Sequence, residues 1–156
     1  MNNKGQITLE YILFSSILII ILIFTTNTII EETEKNTILT TAQIGAQIGV
    51  DKNAYAMYYN DTFNNYQNNY PKLTNPTEIK VIEINMSEKN NEIQIQTVLH
   101  SNTYLNNNEK NIIGSRVNYY IRKTISETFD IKNNDLYYEN IQINKHKIIT
   151  KTVKWR

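Results

Sequence analysis

Between Tyr11 and Ile30 the chain runs for 20 residues without a charge. As a helix that stretch is about 30 Å long, close to one hydrocarbon thickness of a bilayer. Of the residues Ile12 to Phe24, eleven are Ile, Leu or Phe. At about −0.3 to −0.6 kcal/mol each, they favour membrane insertion by roughly 3–7 kcal/mol. Ser15, Ser16, Thr25, Thr26 and Thr28 offset part of this, although hydroxyls can bond back to helix carbonyls. A run this uniform leaves no polar face, which argues against a core helix of a soluble domain. No small-residue cleavage site of the A-x-A type follows it, which argues against an ordinary secretory signal; Thr25-Thr26-Asn27-Thr28 is a poor substitute. Lys4 precedes the run and Glu31, Glu32 and Glu34 follow it. With the lysine on the cytoplasmic side, the bulk of the chain is expected outside.

Glu10 breaks the pattern. It lies between Leu9 and Tyr11 at the entrance to the most apolar part of the chain, where a carboxylate is costly without a partner. The surrounding stretch, Lys4-Gly5-Gln6-Ile7-Thr8-Leu9-Glu10-Tyr11-Ile12-Leu13, resembles the class III signal sequence of archaeal type IV pilin-like proteins. In that family a short basic leader is cut before a Gln, and the mature chain begins Gln-x-Ser-x-Glu ahead of an apolar helix. The resemblance implies cleavage by a prepilin peptidase between Gly5 and Gln6, with Lys4, Gln6, Thr8 and Glu10 as the processing and assembly motif. Thr8 stands where Ser is usual, a departure that keeps the hydroxyl on Cβ. The resemblance covers roughly the first 25 to 30 residues and does not extend to the rest. It further implies a filament whose core is built from apolar helices that leave the lipid, and partners that are other pilin-like subunits.

Residues 1–5 thus read as a leader, and residues 6–59 as one long helix with its membrane or filament-core part at 11–30. No proline interrupts the chain before Pro71. Beyond the apolar run, Ile38, Ala42, Gly45, Ile48, Lys52, Tyr55 and Tyr59 keep a 3.6-residue beat, with Leu39 and Ala46 beside them. The small residues Ala42, Gly45, Ala46 and Gly49 permit close approach of a sheet or a second helix, and ordinary packing on the head is the simpler account. Residues 60–77 form an Asn-rich connector containing Pro71 and Pro76. Its tyrosines, with Tyr55, Tyr58 and Tyr59, suit packing on the head or an interface.

Residues 78–156 read as a β-rich head. Alternation over Glu78–Met86 and Glu92–Leu99 predicts a hairpin with a turn at Ser87–Asn91. Ile113, Val117, Tyr120, Ile121, Ile125 and Phe129 fall at helical spacing, predicting a helix over Glu109–Phe129; the competing reading is a strand through Ile112–Lys123, rich in β-branched residues. After a turn at Lys132–Asp135, Leu136–Asn144 and Ile148–Trp155 suggest a last hairpin. The fold class expected is α+β: a long N-terminal hydrophobic helix followed by a small antiparallel head with one inserted helix.

Net charge is +1 and the 16 basic residues are scattered, so nothing points to nucleic acid. The abundance of Asn, Ile, Lys and Tyr fits AT-rich codons. Without cysteine, disulfides, thiolate metal sites and a Cys nucleophile are excluded, and an exported head depends on its core alone. His100 and His146 are the only histidines and lie in different segments, which gives no metal-site pattern. No phosphate-binding Gly loop, nucleophile elbow or paired-carboxylate site is recognisable, so neither catalysis nor a cofactor is expected. Two Asn-x-Ser/Thr sequons, at Asn60 and Asn85, are candidate N-glycosylation sites; Asn60 is the better one because it sits in the connector. The function these readings imply is a structural or minor pilin-like subunit of an archaeal surface filament, held in the membrane by one span with its head outside before assembly. The alternative is an uncleaved, membrane-anchored exported protein whose head binds a ligand.

Overall fold

The structure, a computed structural model, describes residues 3–52, 68–69, 78–132 and 135–156, with side chains given from Leu9 onward in the first of these stretches. Helix α1 spans Asn3–Asp51, 49 residues. It starts at Asn3 rather than at the expected Gln6. The expected continuation to Tyr59, the connector and its tyrosines lie outside the described residues. The chain divides into two compact units, Met1–Thr37 and Ile38–Arg156.

In the first unit the large apolar side chains of α1 are exposed among the described residues. Along its apolar run the large side chains from Leu9 to Phe24 are 45–72% exposed. The hydroxyls of Ser15 and Ser16 donate to the carbonyls of Ile12 and Leu13 at 3.0 and 2.7 Å. Those of Thr26 and Thr28 donate to Leu22 and Phe24 at 2.7 and 3.1 Å. The hydroxyls of the run are therefore satisfied by the helix itself, which lowers their cost in an apolar medium.

The second unit combines the last part of α1 with strands β1 (Ile79–Lys89) and β2 (Glu92–Ser101), helix α2 (Asn107–Thr128), and strands β3 (Ile141–Ile143), β4 (His146–Thr150) and β5 (Lys154–Trp155). The strands form one sheet in the order β1-β2-β4-β3, with β5 also on β2. The pairs β1–β2 and β3–β4 are antiparallel as expected. The sheet as a whole is mixed, not antiparallel, because β4 and β5 run parallel to β2. The reason is the inserted helix: a connection that carries α2 is long enough to return the chain to the start of β2, which a tight turn cannot do.

The first hairpin turns on two residues only. Asn90 and Asn91 have φ of 52° and 61°, a pair of left-handed conformations that suits asparagine and matches the twist of the flanking strands. The strand therefore extends to Lys89, through residues expected to turn. The predicted last hairpin is shorter than expected. Asp135 accepts from the amides of Tyr137 and Glu139 at 3.1 and 2.9 Å, and this side-chain capture holds Leu136–Tyr138 in a turn instead of a strand. These bonds, Tyr137 first, draw the Asp135 carboxyl below its ordinary pKa. A depressed folded-state pKa means the turn is fully supported above the ordinary carboxylate value, about 3.9, and loses that support as the pH falls through the lower one. The amide resonances of Tyr137 and Glu139 are expected to shift together below about pH 4, and Asp135→Asn is expected to remove that transition.

Helix α2 replaces the strand alternative, and its start has a chemical cause. Asn106 accepts from the amide of Glu109 at 2.8 Å, and the Asn106 amide donates to the Glu109 carboxylate at 2.7 Å. This reciprocal capping box satisfies two backbone donors that the first turn leaves open. Asn106→Ala is expected to cost about 1 kcal/mol, seen as a lower urea midpoint with an unchanged m-value.

The core joins Ile38, Ala42, Ala46 and Val50 of α1 to Ile113, Val117, Ile121 and Ile125 of α2 and to Ile93, Ile95 and Leu99 of β2. On α1 the buried positions are 38, 41, 42, 45, 46, 49 and 50. Leu39 and Ile48, expected on this face, are half-buried, and Thr41 and Val50 take the places. The glycines decide how close the helices come. A Cβ on Gly45 would lie 2.7 Å from Ile121 Cα and 2.8 Å from the Tyr120 carbonyl oxygen, and one on Gly49 2.7 Å from Val117 Cα. The small residues are thus a helix–helix contact within the head. Gly114 of α2 does the same for Val153, whose Cβ lies 3.1 Å from the position a side chain there would take. Val153 is buried, and the predicted continuous strand Ile148–Trp155 is split around it into β4 and β5.

Candidate functional site

The residues singled out in the sequence concentrate in the first turns of α1. Lys4, Gly5, Gln6, Thr8 and Glu10 follow one another along its N-terminal part, with positions 6 and 10 one helical turn apart, so they share a face. Glu10 is exposed. Immediately after it begins the run whose apolar side chains are left exposed by the described residues. Among the described residues one helix is long and apolar enough to cross a membrane, and its most apolar stretch is not buried. An apolar surface of this extent is incompatible with free exposure to water and requires lipid or protein around it.

The sequons are separated from this segment. Asn85 is exposed in the middle of β1, opposite Gln96 of β2. Asn60 lies outside the described residues. The histidines also stay apart. His100 contacts the Arg156 carbonyl at 2.9 Å and Asn102 Oδ1 at 3.0 Å. His146 is only 2% exposed and places Nε2 3.1 Å from Glu88 Oε1. Among the described residues no group of His, Cys, Asp or Glu is arranged to hold a metal. The His146–Glu88 pair was not anticipated from sequence, although the two-residue period from His146 to Ile148 puts both on the buried side of β4.

Residues 3–29 match the family model described as the class III signal peptide. This supports a type IV pilin-like protein with a class III signal peptide. The long apolar helix followed by a mixed sheet and a second helix fits an α+β pilin-like fold. No curated protein and no solved structure matches the chain. A class III signal peptide implies processing by a prepilin peptidase and assembly with other pilins. With the apolar helix, it also fits membrane anchoring before assembly.

Proposed function

We propose that the chain is a structural or minor subunit of an archaeal cell-surface filament, cut between Gly5 and Gln6 and assembled through α1. It acts by polymerisation and not by catalysis. What supports this reading is one conjunction: the class III match over residues 3–29 coincides with an apolar helical run whose large side chains are exposed among the described residues.

The chemistry of the cut makes the sequence of events coherent. Removing residues 1–5 takes away Lys4, the charge that favours a cytoplasmic N-terminus. It also creates an α-amine on Gln6 with an ordinary pKa of about 7.7–8.0. In a staggered filament that amine can meet Glu10 of a neighbouring subunit while the apolar surfaces exchange lipid for one another. A buried ion pair of this kind sets register better than it adds stability. Glu10→Gln is therefore expected to leave processing intact and to reduce filament number sharply; normal filament levels would remove the register role.

Mass spectrometry of the N-terminus of the native protein is the decisive measurement, combined with immunogold labelling of filaments. The expected results are a chain starting at Gln6 and label along filaments. A native chain starting at Met1 supports the uncleaved anchor instead, and a chain cut well beyond the apolar run overturns both.

A further inference from the structure

Strand β1 is an edge of the head sheet. Among the described residues it pairs with β2 alone, so over Ile79–Lys89 its second row of backbone donors and acceptors meets no strand. Such an edge invites pairing with another chain unless something blunts it. Sequence blunts β1 at both ends. Near its start a bulge between Val81 and Glu83 interrupts the register, and Lys80 and Glu83 add charge. At its finish stand Glu88 and Lys89. The stretch between, Ile84-Asn85-Met86-Ser87, has neither bulge nor charge, and Ile84 and Met86 pack against the core. That stretch carries the sequon Asn85-Met86-Ser87.

Asn is common in this chain, so a sequon by itself carries little. The register gives this one its weight. Met86 lies opposite Ile95 of the core, which turns Asn85 and Ser87 to the other face of the sheet, opposite Gln96 and Gln94. Both are exposed. Neither side chain makes a hydrogen bond among the described residues; Gln96 instead donates to the Thr152 carbonyl. A group attached to Asn85 Nδ2 therefore displaces no contact of the head, and it stands in the gap between the bulge and the charged end. The order of the strands also leaves time for attachment. If export keeps pace with synthesis, Asn85 emerges about ten residues ahead of its partner Gln96, which is about 0.5–2 s at roughly 5–20 residues per second.

We propose that Asn85 carries an N-linked glycan, and that this glycan blocks the open edge of β1 against a second copy of the chain. The sugar donor is a lipid-phosphate-linked oligosaccharide. Asn85 Nδ2 bonds to its anomeric carbon, the carbon–oxygen bond to phosphate breaks, the lipid phosphate leaves with the electron pair, and Nδ2 gives up one proton. The glycan is bulky and hydrated. It crowds the position that a side chain of an added strand would take on the same face, roughly 4.5–5.5 Å away. The inference rests on the head lying outside the membrane, not on filament assembly.

Trypsin digestion of protein purified from its native cells tests it. Cleavage after Lys80 and Lys89 releases Val81–Lys89, which contains Asn85 and not Asn60. Mass spectrometry of that peptide is expected to show a sugar increment on Asn85 in wild type and in Ser87→Thr, which keeps the sequon. Complete loss of the increment is expected in Ser87→Ala, which keeps Asn85. Ser87 is exposed on the sheet surface, so these changes leave stability essentially unaltered. In detergent micelles the Ser87→Ala protein is expected to associate at several-fold lower concentration than wild type, read by sedimentation. Ser87→Lys, unglycosylated but charged on the edge, is expected to stay apart. A bare Val81–Lys89 peptide from native protein overturns the proposal, as does an increment that survives Ser87→Ala. The blocking role is overturned if Ser87→Ala protein sediments as wild type, or if Ser87→Lys protein associates as Ser87→Ala does. Protease added to intact cells separates these outcomes from the placement of the head. A digested head with a bare Asn85 overturns the glycan alone, and a protected head overturns both.

Discussion

Replacing Gly45 by valine is expected to lower the stability of the head by about 3 kcal/mol or more, the upper end of overpacking effects. The first atom of any side chain there would meet the Cα of Ile121 and the carbonyl of Tyr120. Both belong to the backbone of α2, so no rotamer change relieves the contact, and the two helices must part. Separation would loosen Ile38, Ala42 and Ala46 from Val117, Ile121 and Ile125, the centre of the core. Gly45→Ala provides the sharper test, because helix propensity alone favours alanine by about 1 kcal/mol. A lower melting temperature for Gly45→Ala would show that packing outweighs propensity at this position. Ile44→Ala, one residue away on a side chain 52% exposed, is expected to change stability by no more than about 0.5 kcal/mol. Thermal melts followed by circular dichroism distinguish these outcomes: about 10 °C or more lost for valine against little change for the control. A valine variant that melts like wild type would mean that the helices do not approach as closely as Gly45 and Gly49 allow.

The second large effect concerns the other unit. Ile20→Lys puts a charge at the middle of the apolar run. It gives up one favourable residue and adds a cost of about 2.5–3.5 kcal/mol at a bilayer centre. That is comparable to the roughly 3–7 kcal/mol by which the run favours insertion. Membrane-associated protein is therefore expected to fall several-fold, and filaments to disappear with it. Ile44→Lys also adds a lysine to an exposed position of α1, but in the second unit, and is expected to leave insertion unchanged. Carbonate extraction of membranes reads the difference directly. Retention of the Ile20→Lys protein at wild-type levels would show that the run is not what anchors the chain.

How much of this was legible beforehand differs between the units. The anchor was readable because its cause is local: twenty uncharged residues determine their preferred medium whatever the remainder of the chain does. The same holds for α2, where side-chain period outweighed β-branched composition, although its capping by Asn106 was not read and the helix starts at Asn107, ahead of the expected Glu109. The head hairpin was readable from alternation, and its turn was placed at Ser87–Asn91, wider than the two residues that form it. Which residues of Ser87–Asn91 leave the strand depends on Asn90 and Asn91 accepting positive φ. Leu136–Tyr138 looked like a strand because apolar content says nothing of where a neighbouring carboxylate will bind, and Asp135 captured the amides. The cavity beside α2 gave no signal in sequence. Lys110, Arg116, Asn118 and Arg122 have ordinary helical spacing, and their grouping at one cavity depends on Leu136, Tyr137 and Val153 lining it with them.

Sequence by itself therefore determined the apolar rod, the class III signal it carries and the secondary elements whose periodicity is intrinsic, because each rests on interactions within one segment or with solvent. Tertiary structure alone decided the parallel return of β4 and β5 to β2, the close contact of Gly45 and Gly49 with α2, and the cavity beside Arg122. Those features join residues far apart in the chain, and their energies exist only once distant segments have been brought into contact.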